Sequence, residues 1–283
     1  FRKAAKEKIS IQSLAGVDGF WYNGNMRKQD EITFSNLRDL GGLPLADGGR
    51  IKAGKLFRAC RLKPKTRADK ELLGSLALDA VVDLRIPAEV KEKPDILPDG
   101  VEYINASVFG DTKFQVLAPT LKTKLALLTV TDAQCDEILQ GIKDSYAYMP
   151  YAREAYRLLF DKLSEGKTVA FHCTAGKDRT GVAAMMIELA LGRTREQAKE
   201  QYLLSNQKRA GKHSAAMRLV KALPLRATIR NVVDYSSRVH EELFDTAYDA
   251  IFSRYDTIGD FLLAEYGVTA DDIAGWKRAY TES

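Results

Sequence analysis

The segment His172-Cys-Thr-Ala-Gly-Lys-Asp-Arg-Thr-Gly181 holds a thiol, five further residues, and then a guanidinium. An apolar strand pattern, Lys167-Thr-Val-Ala-Phe171, precedes it, and an apolar helical run to Leu191 follows it. A loop that enters a helix N-terminus aims several backbone N–H groups at one point, and the helix dipole favours negative charge there. Gly176 lets the loop bend without a Cβ clash. Arg179 offers a planar fork that grips two phosphate oxygens. The same positive field stabilises a thiolate at Cys173. A free cysteine ionises near pH 8.5, and such settings lower this to about 3.5–7.5. A thiolate in that position attacks phosphorus in line with the leaving oxygen and gives a phosphocysteine. Thr180 is placed to donate a hydrogen bond to the sulfur and help release phosphate. Thr174, Ala175, Gly176, Lys177, Asp178 and Arg179 then form the phosphate cradle. This chemistry needs no metal or cofactor.

The elements that position this loop can be read from periodicity. Short strands are expected at Lys55–Ala59, Ala80–Leu84 and Val101–Asn105, and helices at Lys70–Leu78 and Tyr151–Leu163. The strand at Ala80 is apolar enough to be buried on both faces. Asn36 to Gly42 reads as turn-rich, and Asp47-Gly-Gly49 as a hairpin turn. The C-terminal third reads as almost wholly helical: Thr194–Leu204, Ser237–Arg254, Ile258–Tyr266 and Ala270–Tyr280. Gly192 and Gly267 sit where helices end. Strands alternating with helices, followed by a helical block, indicate an α/β sheet. Residues 1–35 read as an N-terminal extension and 36–283 as the functional domain. Within it, 111–150 is a mainly helical insertion, either ordinary packing or a lid.

The bulk numbers exclude several classes. The chain has 283 residues, 45% hydrophobic and 29% charged, with 43 Lys and Arg against 38 Asp and Glu. The net charge of +5 is too mild and too scattered for nucleic-acid binding, and no zinc-finger or RNA-binding motif accompanies it. No apolar run reaches the roughly 20 residues of a transmembrane helix. Three cysteines at wide spacing, Cys60, Cys135 and Cys173, suggest free thiols. The chain begins at Phe1, which leaves a cleaved signal peptide open, and with it the choice between cytoplasm and secretion. Oligomeric state is not legible.

The loop resembles the signature of the protein tyrosine phosphatases. Its form Cys-x-x-Gly-Lys-Asp-Arg-Thr-Gly is most similar to an atypical bacterial branch, typified by the secreted mycobacterial tyrosine phosphatase B and the Listeria lipid phosphatase A. Asn36-Leu-Arg-Asp-Leu-Gly-Gly42, Gly54-Lys-Leu-Phe-Arg58, Val81-Val-Asp-Leu-Arg85, Tyr202-Leu-Leu-Ser-Asn206 and Tyr266-Gly-Val268 resemble further motifs of that branch, so the similarity covers roughly residues 34–280. The resemblance implies a central sheet flanked by helices, phosphotyrosine protein as favoured substrate and phosphoinositide as the alternative. Lys177 resembles the lysine that lipid-active relatives carry. A silent phospho-binding module is disfavoured, because binding needs no nucleophile.

The general acid stays open between two aspartates. Dual-specificity relatives place their acid where Asp111 falls, and the bacterial branch carries an aspartate matching Asp178, which the resemblance favours. Pro94-Asp95 and Pro98-Asp99 read as a surface turn. His172 is expected to orient the loop or tune the thiolate, not to bind metal, as no ligand lies at suitable spacing near it. Asp83 and Arg85 read as a buried pair, and Arg38 and Asp39 as a pair holding a turn. Lys177 is either a solvated lysine or a contact for a second anionic group. His213 and His240 read as helix-surface residues, and Cys60 and Cys135 carry no motif.

Overall fold

The computed structural model describes residues 32–110 and 112–283. The first elements are β1 (Arg38–Asp39), β2 (Arg50–Ile51), β3 (Leu56–Ala59), α1 (Arg67–Ser75), β4 (Ala80–Asp83), α2 (Pro87–Glu92) and β5 (Glu102–Asn105). Then come α3 (Leu121–Ala126), α4 (Asp132–Tyr148), α5 (Arg153–Ser164), β6 (Val169–His172) and α6 (Arg179–Leu191). The helical block is α7 (Arg195–Lys208), α8 (Ala210–Ala222), α9 (Ala227–Ser237), α10 (Glu241–Phe252), α11 (Ile258–Tyr266) and α12 (Ala270–Tyr280), closed by β7 (Thr281–Glu282).

The main sheet has the order β1-β3-β6-β4-β5. Only the β1–β3 pair is antiparallel among these strands. The central strand β6 is buried throughout, as are β3 and β4. Their apolar runs therefore face helices on both sides, as a parallel sheet requires. One face packs Val82, Val169 and Phe171 against Leu159, Phe160, Val182 and Met186 of α5 and α6. The other packs Phe57, Val81 and Ala170 against Leu72 and Leu73 of α1. Helix α6 is buried at every position except Leu189, so it has no polar face. Five helices, α1, α4, α7, α11 and α12, start at a threonine whose hydroxyl accepts from the third helical residue, in a reciprocal capping box.

Two expected elements differ. Asn36 to Gly42 contributes the edge strand β1 as well as a turn. The helix expected over Ser237–Arg254 is broken at Arg238–His240. Asn206 causes the break: its side chain accepts from the Val239 N–H and donates to the Val239 carbonyl, both at 2.9 Å. This clasp holds the backbone extended and drives Val239 into the core.

Candidate active site

Cys173 follows β6 directly, and α6 begins at Arg179. The loop between them runs at the carboxyl end of the central strand, where open α/β sheets bind ligands. Gly176 is required twice over. Its φ is +66°, and a Cβ there would stand 2.2 Å from the Ala59 carbonyl oxygen. Asn36 Nδ2 donates to the carbonyls of Ala175 and Gly176 at 3.2 and 2.7 Å, and Arg58 Nη2 donates to that of Gly176 at 3.0 Å. In a planar trans peptide the N–H points opposite to the preceding C=O. Anchoring these two carbonyls therefore turns the N–H groups of Gly176 and Lys177 away from the braces, as an anion cradle requires.

Arg179 is buried and held end-on by Glu89. Nη1 donates to Oε2 at 2.6 Å and Nη2 to Oε1 at 2.9 Å. Nη1 also reaches the Leu84 carbonyl at 3.4 Å, and the guanidinium lies over the Phe109 ring. This leaves the Nε–H and one Nη2–H as a side-on fork for phosphate. Glu89 accepts from the Thr174 hydroxyl as well, and from Ile86 N–H at 3.2 Å. Burial pushes the Glu89 carboxyl up, but Arg179 outweighs it and holds the group below its usual range. Sequence reasoning missed Glu89. Its signal was Ile86-Pro-Ala-Glu89, a proline at a helix start followed by a third-position glutamate.

Cys173 is buried, which raises a thiol's pKa. The charge of Arg179 and hydrogen bonding from Thr180 outweigh this, so the thiol is lowered. The buried Thr180 hydroxyl has no oxygen or nitrogen partner among the described residues, and it favours the charged form of Cys173. Asp178 is also lowered: burial raises it, but Lys177 and the Tyr146 hydroxyl prevail. Tyr146 donates to Asp178 at 2.5 Å and lies 2.9 Å from the Tyr202 hydroxyl. Lys177 is not a solvated lysine. It is 7% exposed and donates to Asp178 at 2.7 Å and to the Arg238 carbonyl at 3.1 Å. Asp111 lies outside the described residues.

Beneath the loop, Asp83 and Arg85 pair at 2.6 Å, both buried. Asp95, expected on a surface turn, has a buried carboxylate instead. It accepts from Arg85 at 2.6 Å and from Leu62 N–H at 2.7 Å, and lies 3.3 Å from His172 Nε2. The two loop donors pull it inward. Asp83, Asp95 and His172 thus converge with potential ligand atoms within 4.8 Å, which the sequence spacing concealed. Arg85 already supplies a cation to both carboxylates. Burial lowers His172, but Asp83 and Asp95 raise it further, toward the charged form. Its Nδ1 lies 3.1 Å from the Cys173 carbonyl, which ties it to the loop. Arg38 and Asp39 do not pair with each other. Arg38 donates to Gln201 and Ser205, and Asp39 accepts from Gly41 and Gly54 N–H. His213 and His240 are half-buried and bond to Ser237 and to the Tyr235 carbonyl.

The loop floors a cavity of about 350 Å³. Its wall is built by Leu117, Pro119, Lys124, Ile142 and Tyr146 from within 112–150, and by Val233, Tyr235 and Arg238 from α9 and the residues after it. Arg209 also lines the cavity. Its Nη1 donates to the Ser237 carbonyl at 3.0 Å, while its buried Nε has no partner among the described residues.

A lowered thiol, a braced loop and an arginine with a side-on fork left free thus meet at the carboxyl end of the central strand. The model of the tyrosine phosphatase family matches residues 32–282, and the chain belongs to that family. A Cupriavidus necator protein, named provisionally as a tyrosine-protein phosphatase, is 33% identical over 81% of each chain. The triple specificity protein phosphatase PtpB of Mycobacterium tuberculosis is 30% identical over 60% of this chain and 66% of its own. The P. aeruginosa protein TpbA, solved in complex with pTyr, aligns over 54% of this chain and 70% of its own at 16% identity. Its TM-score of 0.26 is too slight a likeness to bear on the fold.

Proposed function

We propose that this chain hydrolyses phosphotyrosine through a phosphocysteine at Cys173. The observation that carries the reading is the lowered thiol of Cys173 beside an Arg179 whose free fork faces the same cradle. The sulfur attacks phosphorus, and the tyrosine oxygen leaves on the opposite side. Loop N–H groups and the Arg179 fork hold the three equatorial oxygens, and their grip tightens as charge spreads in the transition state. Asp178 supplies the proton to the leaving phenolate. In the resting site it is ionised, paired with Lys177; an incoming dianion raises its proton affinity by like-charge repulsion, and it takes up a proton from solvent as the substrate binds. After departure of tyrosine, the Asp178 carboxylate takes a proton from the attacking water, and Thr180 helps the sulfur leave. Turnover of phosphotyrosine peptide by the wild type and by Cys173→Ser tests the reading. Retention of activity within about tenfold, only ~1.4 kcal/mol of barrier, would contradict it.

A second reading is phosphoinositide hydrolysis. Arg209 and Arg238 favour it, because they line the cavity beside the loop and a polyphosphorylated head group presents phosphates for them. The name of the mycobacterial relative, triple specificity, accords with a substrate range wider than tyrosine. Residues 111–150 act in either reading as a cavity wall that selects what reaches the loop. Parallel turnover of phosphotyrosine peptide and phosphoinositide vesicles separates the two.

A further inference from the structure

Two stretches of the chain, 112–131 and 201–233, contain no Asp or Glu, yet carry three and seven Lys or Arg. The net charge of +5 for the whole chain conceals them. The fold brings them together. Leu127 and Val130, just past α3, pack in one small cluster with Leu225, just past α8, and with Ile229 and Val232 of α9. The acidic groups nearby do not cancel the charge. Asp132 pairs with Arg226 at 2.7 Å, Asp234 lies 3.4 Å from His213, and Glu92 accepts from the Leu121 N–H. Asp136 and Glu137 stand off the face of α4 that packs here, which Cys135, Ile138 and Leu139 form. Arg226 alone among these cations has an ion pair within the described residues.

The same stretches expose leucine. Helix α3 has no buried residue, and α8 has one, Val220. Leu121 and Leu125 lie four apart on α3. The Leu128 N–H carries the turn on to the Leu125 carbonyl, at 3.1 Å, so the three leucines form one stripe. Leu219 and Leu223 repeat the spacing at the end of α8 and just past it. Leu121 and Leu219 are each 64% exposed, and Leu125, Leu128 and Leu223 are exposed too. A helix as short as α3 gains little from its own backbone bonds, and tertiary packing normally holds such a helix. Here packing covers Ala118 and Thr120 ahead of α3 and leaves its leucines bare.

We infer that this face docks on an anionic lipid bilayer, with its lysines and arginines at the head groups and its leucines beneath them. A bilayer accommodates both kinds of group at once. Basic side chains meet the anionic head groups, their stems lie along the apolar layer, and the leucines pass into the acyl boundary. A nucleic acid would meet the cations and leave the leucines wet. The aromatic residues of the two stretches, Phe114 and Tyr202, are both buried, so no ring is offered for a base to stack on. No described helix is long and apolar enough to cross the bilayer, so α3 and α8 lie along its surface.

Docking on this face also orients the cavity. Lys124 of α3 lines it, one residue before the exposed Leu125, and Arg209, directly before α8, lines it as well. A bilayer against α3 and α8 therefore sets the cavity rim at the head groups, and the loop meets phosphate esters that the membrane carries. Docking decides where the chain sits and not what it cleaves, so it holds for phosphotyrosine and phosphoinositide alike.

The test uses the full chain and sucrose-loaded vesicles of phosphatidylcholine, with and without phosphatidylserine, in buffer holding inorganic phosphate to fill the catalytic loop. Neither lipid is a phosphate monoester, so capture as substrate is not read. Co-sedimentation is expected to show binding that needs phosphatidylserine. Lys122→Glu with Lys221→Glu should weaken it about tenfold or more, and so should Leu121→Gln with Leu125→Gln and Leu219→Gln. All five side chains are exposed, and circular dichroism verifies that the variants fold. Leu125→Trp should gain quenching by brominated lipid over the wild type. A wild type that stays in the supernatant, or that binds phosphatidylcholine alone equally well, overturns the inference. So does binding that neither set of substitutions weakens. A loss confined to the lysine variant marks a site for a soluble polyanion and overturns the bilayer as occupant. A wild-type dimer without vesicles that the leucine variant dissolves assigns the face to a second copy, and overturns it too. No turnover enters these readings, so they stand or fall apart from the phosphatase reading.

Discussion

Replacing Glu89 by glutamine isolates what an arginine gains from being held. The carboxylate makes two charge-assisted bonds to Arg179, at 2.6 and 2.9 Å, and accepts from Thr174 at the start of the loop. Glutamine has one acceptor oxygen, so one Arg179 bond is lost and the other is left with a neutral partner. Hydrogen bonds to charged groups contribute about 1.5–3 kcal/mol each. Part of that loss is recovered as the guanidinium settles elsewhere. The remainder is misalignment, and a displacement of about 1 Å costs on the order of 100-fold in rate, or ~2.7 kcal/mol. Glu89→Gln is therefore expected to lower kcat/KM on phosphotyrosine peptide by about 30- to 300-fold. The loss should fall mainly on kcat, since Arg179 grips hardest in the transition state. Glu89→Asp keeps the charge on a shorter arm and should recover part of the rate. Steady-state kinetics on both variants, with thermal melts to verify folding, make the comparison. A Glu89→Gln enzyme within threefold of wild type, or a loss entirely in KM, would refute the assignment of Glu89 as the residue that positions Arg179.

Arg179→Lys keeps the charge but cannot form the fork, and should lose most of kcat; near-normal turnover would show that charge alone suffices. The Tyr146 hydroxyl stabilises ionised Asp178, so Tyr146→Phe lets that group's pKa rise. If Asp178 is the general acid, the alkaline limb of kcat/KM on an unactivated phenyl phosphate moves to higher pH in this variant; an unmoved limb argues for another acid. Thr180→Ala should raise the pH at which iodoacetate alkylates Cys173, because a contact that favours the thiolate is removed. Arg209→Ala combined with Arg238→Ala should reduce phosphoinositide turnover several-fold more than phosphotyrosine turnover; equal losses would reduce both residues to general steering.

What could be read from the chain depended on how local the cause was. Helices α11 and α12 run over the residues expected, because a capping threonine starts each and Gly267 ends α11. Strands β4 and β6 declared themselves as apolar runs too short for helices. The thiol, the fork and the glycine bend were legible because one decapeptide carries them all. Glu89 was not, since it meets Arg179 from a distance of 90 residues along the chain. The burial of Asp95 depends on Arg85 and Leu62, and the break at Arg238–His240 on Asn206. In each case a partner far away in sequence overrode the local preference.

Lys177 fastens two parts of the site with one ammonium. It holds the Asp178 carboxylate in the loop and the Arg238 carbonyl in the cavity wall. Protonation of Asp178 removes the charge that anchors one side of this fastening, and the ammonium is then free to swing toward a phosphate oxygen. The wall would loosen at the same moment. If Asp178 is the acid of the proposed mechanism, chemistry and wall share a latch: each proton passed to the leaving group would re-form the carboxylate, draw Lys177 back and set the wall again. On that reading the dwell time of product would follow the protonation of a single side chain, and viscosity and pH should act on the same step.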